Sequence, residues 1–147
     1  FLGETGAEEL ASIQMAMKEA ARAIAPFSLQ LGEPGFFPRQ ERKILWVGLR
    51  GDVQELGKLF NRLEDSMAER GFPKERRGLS PHITLAREAV LRVEWEQLSR
   101  RPGLEARELP VTHLTLMEST RRQGKLTYLP LFRLPLQGRV QSIHCQP

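Results

Sequence analysis

Pro81-His82-Ile83-Thr84-Leu85-Ala86-Arg87 is the stretch from which both fold and chemistry are read. It is a short, apolar-leaning run that follows a loop rich in Gly, Pro and Arg. Taken as a strand, its side chains alternate between faces. Ile83 and Leu85 then point one way, and His82 and Thr84 the other. The imidazole and the hydroxyl stand about 7 Å apart along the strand, on the face that the aliphatics leave unburied. Arg87 lies near the strand's end, too far along for parity alone to place it. An imidazole, a hydroxyl and a guanidinium at one end of a strand are suitable parts for handling a phosphate.

Upstream, the pattern alternates between helix and strand. Phe1 to Glu4 reads as a strand end running into a turn. Thr5 or Gly6 can cap the helix that follows, with Glu8 and Glu9 favourable in its first turn. Leu10, Ile13, Met17, Ala21 and Ile24 recur at helical spacing from Ala7 to about Ala25, and Pro26 ends the run. Phe27 to Leu31 alternates as a half-buried strand. Gly32 to Arg42 carries Gly and Pro punctuation and reads as a loop. Its adjacent Phe36 and Phe37 suit either core anchors or a base-stacking surface, and the first reading is preferred. Lys43 to Leu49 is nearly continuous in apolar residues, as in a strand covered on both faces. Asp52 is the expected cap of a second helix whose stripe is Val53, Leu56, Phe60, Leu63 and Met67, and which Gly71 ends. The loop from Pro73 to Pro81 carries Lys74, Arg76 and Arg77.

Downstream, a short helix spans Val93 to Leu98. Pro110 to Met117 reads as one strand, Ser119 to Lys125 as a polar hairpin turn, and Leu126 to Leu136 as the returning strand. Pro130 and Pro135 suit an edge or a bulge. Two long helices and about five mostly antiparallel strands give an α+β layout.

The chain has 147 residues, 40% of them hydrophobic and 27% charged, as in an ordinary globular protein of one domain or two small lobes. A net charge of +4 leans weakly toward a polyanionic partner. The single cysteine, Cys145, permits no internal disulfide and fits a reducing cytoplasm. No zinc-type ligand cluster, membrane-length apolar run or signal peptide is visible.

The string from Ser80 to Arg87 resembles the second signature of the two-histidine (2H) phosphoesterases, in the branch of 2′-5′ RNA ligases or RNA 2′,3′-cyclic phosphodiesterases. Phe1 to Glu4 is similar to the segment after that family's first His-x-Thr motif, and Leu45 to Leu49 to its central strand. Gly71-Phe72-Pro73 and the basic loop precede the motif as in the family. Leu114, Leu116, Ser119, Gly124 and Tyr128 resemble its C-terminal hairpin. The resemblance implies a bilobal α+β fold, with two antiparallel sheets around a central cleft and helices on the outer faces. Residues 1–137 would form this single domain of two pseudosymmetric lobes, N-terminally incomplete, and 138–147 a tail.

It also implies a chemistry. Opening a 2′,3′-cyclic phosphate with water needs one base and one acid on opposite sides of the phosphorus. Two histidines supply these without a metal or other cofactor. His82 is then acid or base, Thr84 a phosphate contact and Arg87 a phosphate clamp. The implied partners are RNA ends or nucleoside 2′,3′-cyclic phosphates, with no membrane, and a cytoplasmic monomer is expected.

The first His-x-Thr strand of the family pattern should end just before Phe1. Three explanations stay open. The natural protein carries that strand upstream, which is the preferred reading; or the site is degenerate, leaving a non-catalytic RNA- or nucleotide-binding module; or His113 and Thr115 supply the partner, since they too spell His-x-Thr. In the family register that second strand is the hydrophobic strand of the hairpin. The basic loop is read as solvated or as steering RNA phosphates, and Arg121, Arg122 and Lys125 as a solvated turn. His144 is assigned nothing.

Overall fold

The structure, a computed structural model, describes residues 2–39, 41–99 and 107–139. The elements run α1 (Ala7–Ala23), β1 (Phe27–Arg39), β2 (Arg42–Gly51), α2 (Val53–Ala68), β3 (His82–Ala89), α3 (Trp95–Ser99), β4 (Glu108–Val111), β5 (His113–Arg122) and β6 (Lys125–Pro135). They fall into two compact units. One draws its described residues from Phe1–Phe27, Glu55–Gly78 and Thr112–Pro147, the other from Ser28–Gln54 and Leu79–Val111.

The first unit is built around α1. Gly6 precedes the helix, and the Glu9 carboxylate reaches back to accept the Gly6 N–H at 2.7 Å, satisfying a donor at the helix entrance. The helix buries Ile13, Ala16, Met17, Ala20 and Ala21. Ile13, Ala16, Met17 and Met67 of α2 form the core, with Leu114, Leu116, Phe132 and Leu134 of the β5–β6 hairpin packed against it. Helix α2 ends as its glycine demands. Gly71 has φ +87°, the Phe72 N–H donates to the Met67 carbonyl, and the Gly71 N–H to that of Ala68, a pairing that closes the last turn. Leu59 is buried although it lies off the expected stripe. Hairpin β5–β6 turns through Gln123 and Gly124, both at positive φ, with Arg122 opposite Lys125. This tight turn is shorter than the polar loop expected from Ser119 to Lys125, because primed two-residue turns match strand twist. Past β6, the Gln137 N–H donates to the Ala21 carbonyl and the Gly138 N–H to that of Ile24. The chain therefore stays docked through Gly138, where a tail with little to bury was expected to begin. Residues 140–147, including His144 and Cys145, lie outside the described residues, as does Phe1. Leu2 to Glu4 form no strand, contrary to the sequence reading.

The second unit is a four-stranded sheet in the order β3-β2-β1-β4. Two sequence expectations change here. The segment 32–39 is strand and not loop. Strand β1 continues through Pro34 and Pro38 to Arg39, with a register shift between Leu31 and Pro34 that absorbs the irregular residues. The run Pro110 to Met117 is two strands, broken at Thr112. Strand β4 borders β1, with the Leu31 N–H donating to the Arg107 carbonyl, whereas β5 pairs with β6. Strand β2 lies inside the sheet, yet only Val47 is buried along it, so its faces are less covered than its composition suggests. Asp52 accepts the Ser28 N–H at 3.0 Å and so ties the end of β2 to the start of β1. No helix among the described residues is long and apolar enough to cross a membrane.

Candidate active site

His82 opens β3, an edge strand that pairs only with β2. The Leu49 N–H donates to the Pro81 carbonyl and anchors the strand's entry. The ring of His82 is held by its own loop, 2.7 Å from Nδ1 to the Ser80 carbonyl oxygen. A carbonyl only accepts, so Nδ1 carries the proton of this bond. That leaves Nε2 as the nitrogen able to take or give a proton, which is the preparation a general acid–base histidine needs.

Register then decides the ring's neighbours. Gly48 stands opposite His82, Trp46 opposite Thr84 and Gly35 opposite Trp46. Cross-strand partners share a face, so Gly35 and Phe37 of β1, Trp46 and Gly48 of β2, and His82 and Thr84 of β3 line one side of the sheet. With no side chain at Gly48, the imidazole has two aromatic neighbours on its own face of the sheet. It meets Phe37 edge-on, with centroids 5.4 Å apart and an interplanar angle of 82°, and Trp46 at 6.1 Å. Phe37 and Trp46 lie 5.3 Å apart in turn. The indole rests over Gly35, where a Cβ would collide with its ring carbons. The Trp46 Nε1 is buried with no hydrogen-bond partner among the described residues. Such an orphan donor costs about 1–3 kcal/mol.

The two adjacent phenylalanines divide between faces. Phe36 turns to the other side, where Trp95 of α3 meets it edge-on at 5.0 Å and the Lys43 ammonium lies 4.3 Å from its centroid. Phe36 is thus half-buried against these two side chains. Phe37, 40% exposed beside His82, is not. The aliphatics of β3 also depart from expectation: Ile83 is 40% and Leu85 56% exposed, whereas Thr84 is half-buried.

Strand β3 has register shifts between Thr84 and Ala86 and between Ala86 and Ala89. Each inserts an extra residue and breaks the alternation. Arg87 is therefore released from the parity that would pair it with Ile83 and Leu85. It is exposed and forms no ion pair among the described residues.

His113 and Thr115 lie in the other unit, on β5. The His113 Nδ1 lies 2.8 Å from the Thr112 hydroxyl and 3.3 Å from the Arg133 guanidinium, and Arg133 stands directly opposite Thr115. In the same unit the basic loop is partly spoken for. Lys74 pairs with Asp65, whose hydrogen bond raises its pKa. Glu75 accepts the Arg77 N–H, which holds its carboxyl below the ordinary value. Phe37, Trp46 and Gly35 are the parts of the His82 site that the motif alone does not reveal. Strand parity between Trp46 and Thr84 is the signal that leads to the indole.

The sheet presents the His82 imidazole, its Nδ1 committed to Ser80, on the same face as the Thr84 hydroxyl. The family model of the 2′-5′ RNA ligase superfamily matches residues 2–123. The chain belongs to that superfamily. It is 33% identical over 137 residues to an RNA 2′,3′-cyclic phosphodiesterase of Escherichia coli, covering 92% of this chain and 72% of that protein. It is 32% identical over 88 residues to one of Aeropyrum pernix, covering 59% of this chain and 49% of that protein. The chain thus spans about half the length of the Aeropyrum relative. Escherichia coli LigT, solved in complex with 3′-AMP, superposes with a TM-score of 0.74 at 31% identity, over 92% of this chain and 73% of that one. The fold is that of the 2H phosphoesterases, an α+β arrangement of antiparallel sheets and helices.

Proposed function

We propose that this protein hydrolyses RNA ends carrying a 2′,3′-cyclic phosphate to the 2′-phosphate, without a metal, and that 2′-5′ ligation is the reverse reaction. One observation carries the reading: the Nδ1 of His82 is committed to the Ser80 carbonyl, so Nε2 is free for proton transfer on the face that Thr84 shares. His82 takes a proton from water or gives one to the leaving ribose oxygen. The Thr84 hydroxyl holds a phosphoryl oxygen, and Arg87 balances the charge that builds on the phosphoryl group. The names of the relatives from Escherichia coli and Aeropyrum pernix support this substrate class. The two units are taken as the lobes of one phosphoesterase domain acting as a cytoplasmic monomer, the compartment being one that a lone cysteine suits.

In-line displacement needs a second proton-transfer group across the phosphate. That group lies on the side of the phosphorus away from His82. The test is turnover of adenosine 2′,3′-cyclic phosphate in EDTA. The expected result is activity that EDTA leaves intact and that His82→Ala lowers by on the order of 10²–10⁴-fold. Turnover that survives His82→Ala overturns the role of His82, and loss in EDTA overturns the metal-free reading. His113→Ala with full activity places the partner elsewhere than His113.

A further inference from the structure

We propose that Phe37 is a nucleobase platform, on which the base of the nucleotide reacting at His82 stacks. The inference rests on the reading of His82 as the histidine that works on phosphate, and it adds a recognition element for the rest of the nucleotide.

The argument starts from an excess of exposure. A phenylalanine that only braced an imidazole would be covered. Phe37 instead keeps 40% of its surface open while touching two other rings, His82 at 5.4 Å and Trp46 at 5.3 Å. Single exposed apolar side chains are commonplace on protein surfaces. This one differs because it abuts the candidate catalytic group and is backed by a second aromatic. Its place is also enforced from below. Gly35 admits the Trp46 indole, the indole lies beside Phe37, and both lie on the His82 face. Bracing His82 needs only one ring, and Trp46 already reaches it at 6.1 Å.

The occupant follows from the substrate. In a nucleoside 2′,3′-cyclic phosphate the base and the phosphate are separated by one ribose. Phe37 and His82 are separated by a comparable span. A flat π-system carried on that ribose would meet the Phe37 ring when the phosphate meets His82. Stacking of this kind favours nucleic-acid bases without selecting among them, since every base has a π-face. The platform therefore predicts affinity for nucleosides over sugar phosphates, with weak discrimination between purine and pyrimidine beyond stacking strength.

The test is an NMR titration of the full chain with two ligands, adenosine 2′-monophosphate and methyl ribofuranoside 2-phosphate, which lacks the base. Wild type is expected to bind the nucleotide more tightly than the sugar phosphate by on the order of 10- to 100-fold, and Phe37→Ala to abolish most of that difference while leaving the sugar phosphate unchanged. Phe37→Trp should preserve the preference, and Phe37→Leu should lose it although it keeps an apolar side chain. Equal weakening of both ligands in Phe37→Ala would overturn the proposal, because the ring would then act only through His82. So would an unchanged preference. Binding is read apart from turnover, so the two readings fail separately. A chain that does not open cyclic phosphates yet shows Phe37-dependent base preference keeps the platform and loses the reaction. Full turnover with no base preference does the reverse.

Discussion

Gly35 and Trp46 stand directly opposite each other across β1 and β2, and the indole occupies the space that any side chain at position 35 would need. A methyl group there must displace the indole, and with it the ring contacts to Phe37 and His82. Gly35→Ala is expected to lower stability by about 1–3 kcal/mol, the usual cost of overpacking. Turnover should fall further than the fraction folded explains, which chemical denaturation together with kinetics on a nucleoside 2′,3′-cyclic phosphate would show. Unchanged kinetics would mean that the indole does not hold the site.

The buried Nε1 of Trp46 gives a second handle. Trp46→Phe removes a donor that has no partner and also removes apolar area. These effects oppose each other, so stability should change by less than about 1.5 kcal/mol in either direction. A much larger loss would overturn this balance.

The β5–β6 turn makes a prediction independent of the site. Gly124 has φ +76° and Gln123 φ +49°. Gly124→Ala forces a Cβ into the left-handed region and should cost about 1 kcal/mol. Gln123→Asn should be neutral or stabilising, since asparagine tolerates that conformation and leads such turns. Thermal unfolding of both variants checks the pair.

Within the first unit, Glu19 of α1 binds Arg70 and Ser66 just beyond and within α2. The Arg70 hydrogen bond, then that of Ser66, holds the Glu19 carboxyl below its ordinary value of 4.5. A carboxyl with a depressed folded value adds stability that is fully present above about pH 4.5 and is lost as pH falls through the lowered value. Glu19→Gln should therefore lower stability near neutrality, change little once pH is below the lowered value, and so flatten the acid limb of the stability curve, as equilibrium unfolding across pH would record.

Much of this was legible in the chain itself. The helices announce themselves through Ile13, Met17 and Met67, whose spacing shows which side must be buried, and Gly71 marks its own stop. His82 and Thr84 share a face because a strand leaves them no alternative. What escaped were features that depend on long-range pairing. Pro34, Gly35 and Pro38 look like loop residues because local propensity disfavours strands there. The pairing of Gly35 with Trp46 and Pro38 with Lys43 overrides it. Thr112 carries no local mark of a break, since Val111 and His113 both suit a strand. Only their different partners separate them. The exposure of Phe37 belongs to the same class, because nothing local distinguishes it from Phe36.

That last pair has a consequence for how the sheet finds its alignment. Slide β1 by one position and the two phenylalanines trade faces, so that each side of the sheet still receives one ring. By that measure the slip would go undetected. It is caught one residue earlier: the same slide would put Pro34 or Phe36 under the Trp46 indole, where only the atoms of a glycine fit. The smallest residue in the strand is thus its alignment key, rejecting the one mispairing that its neighbours cannot recognise.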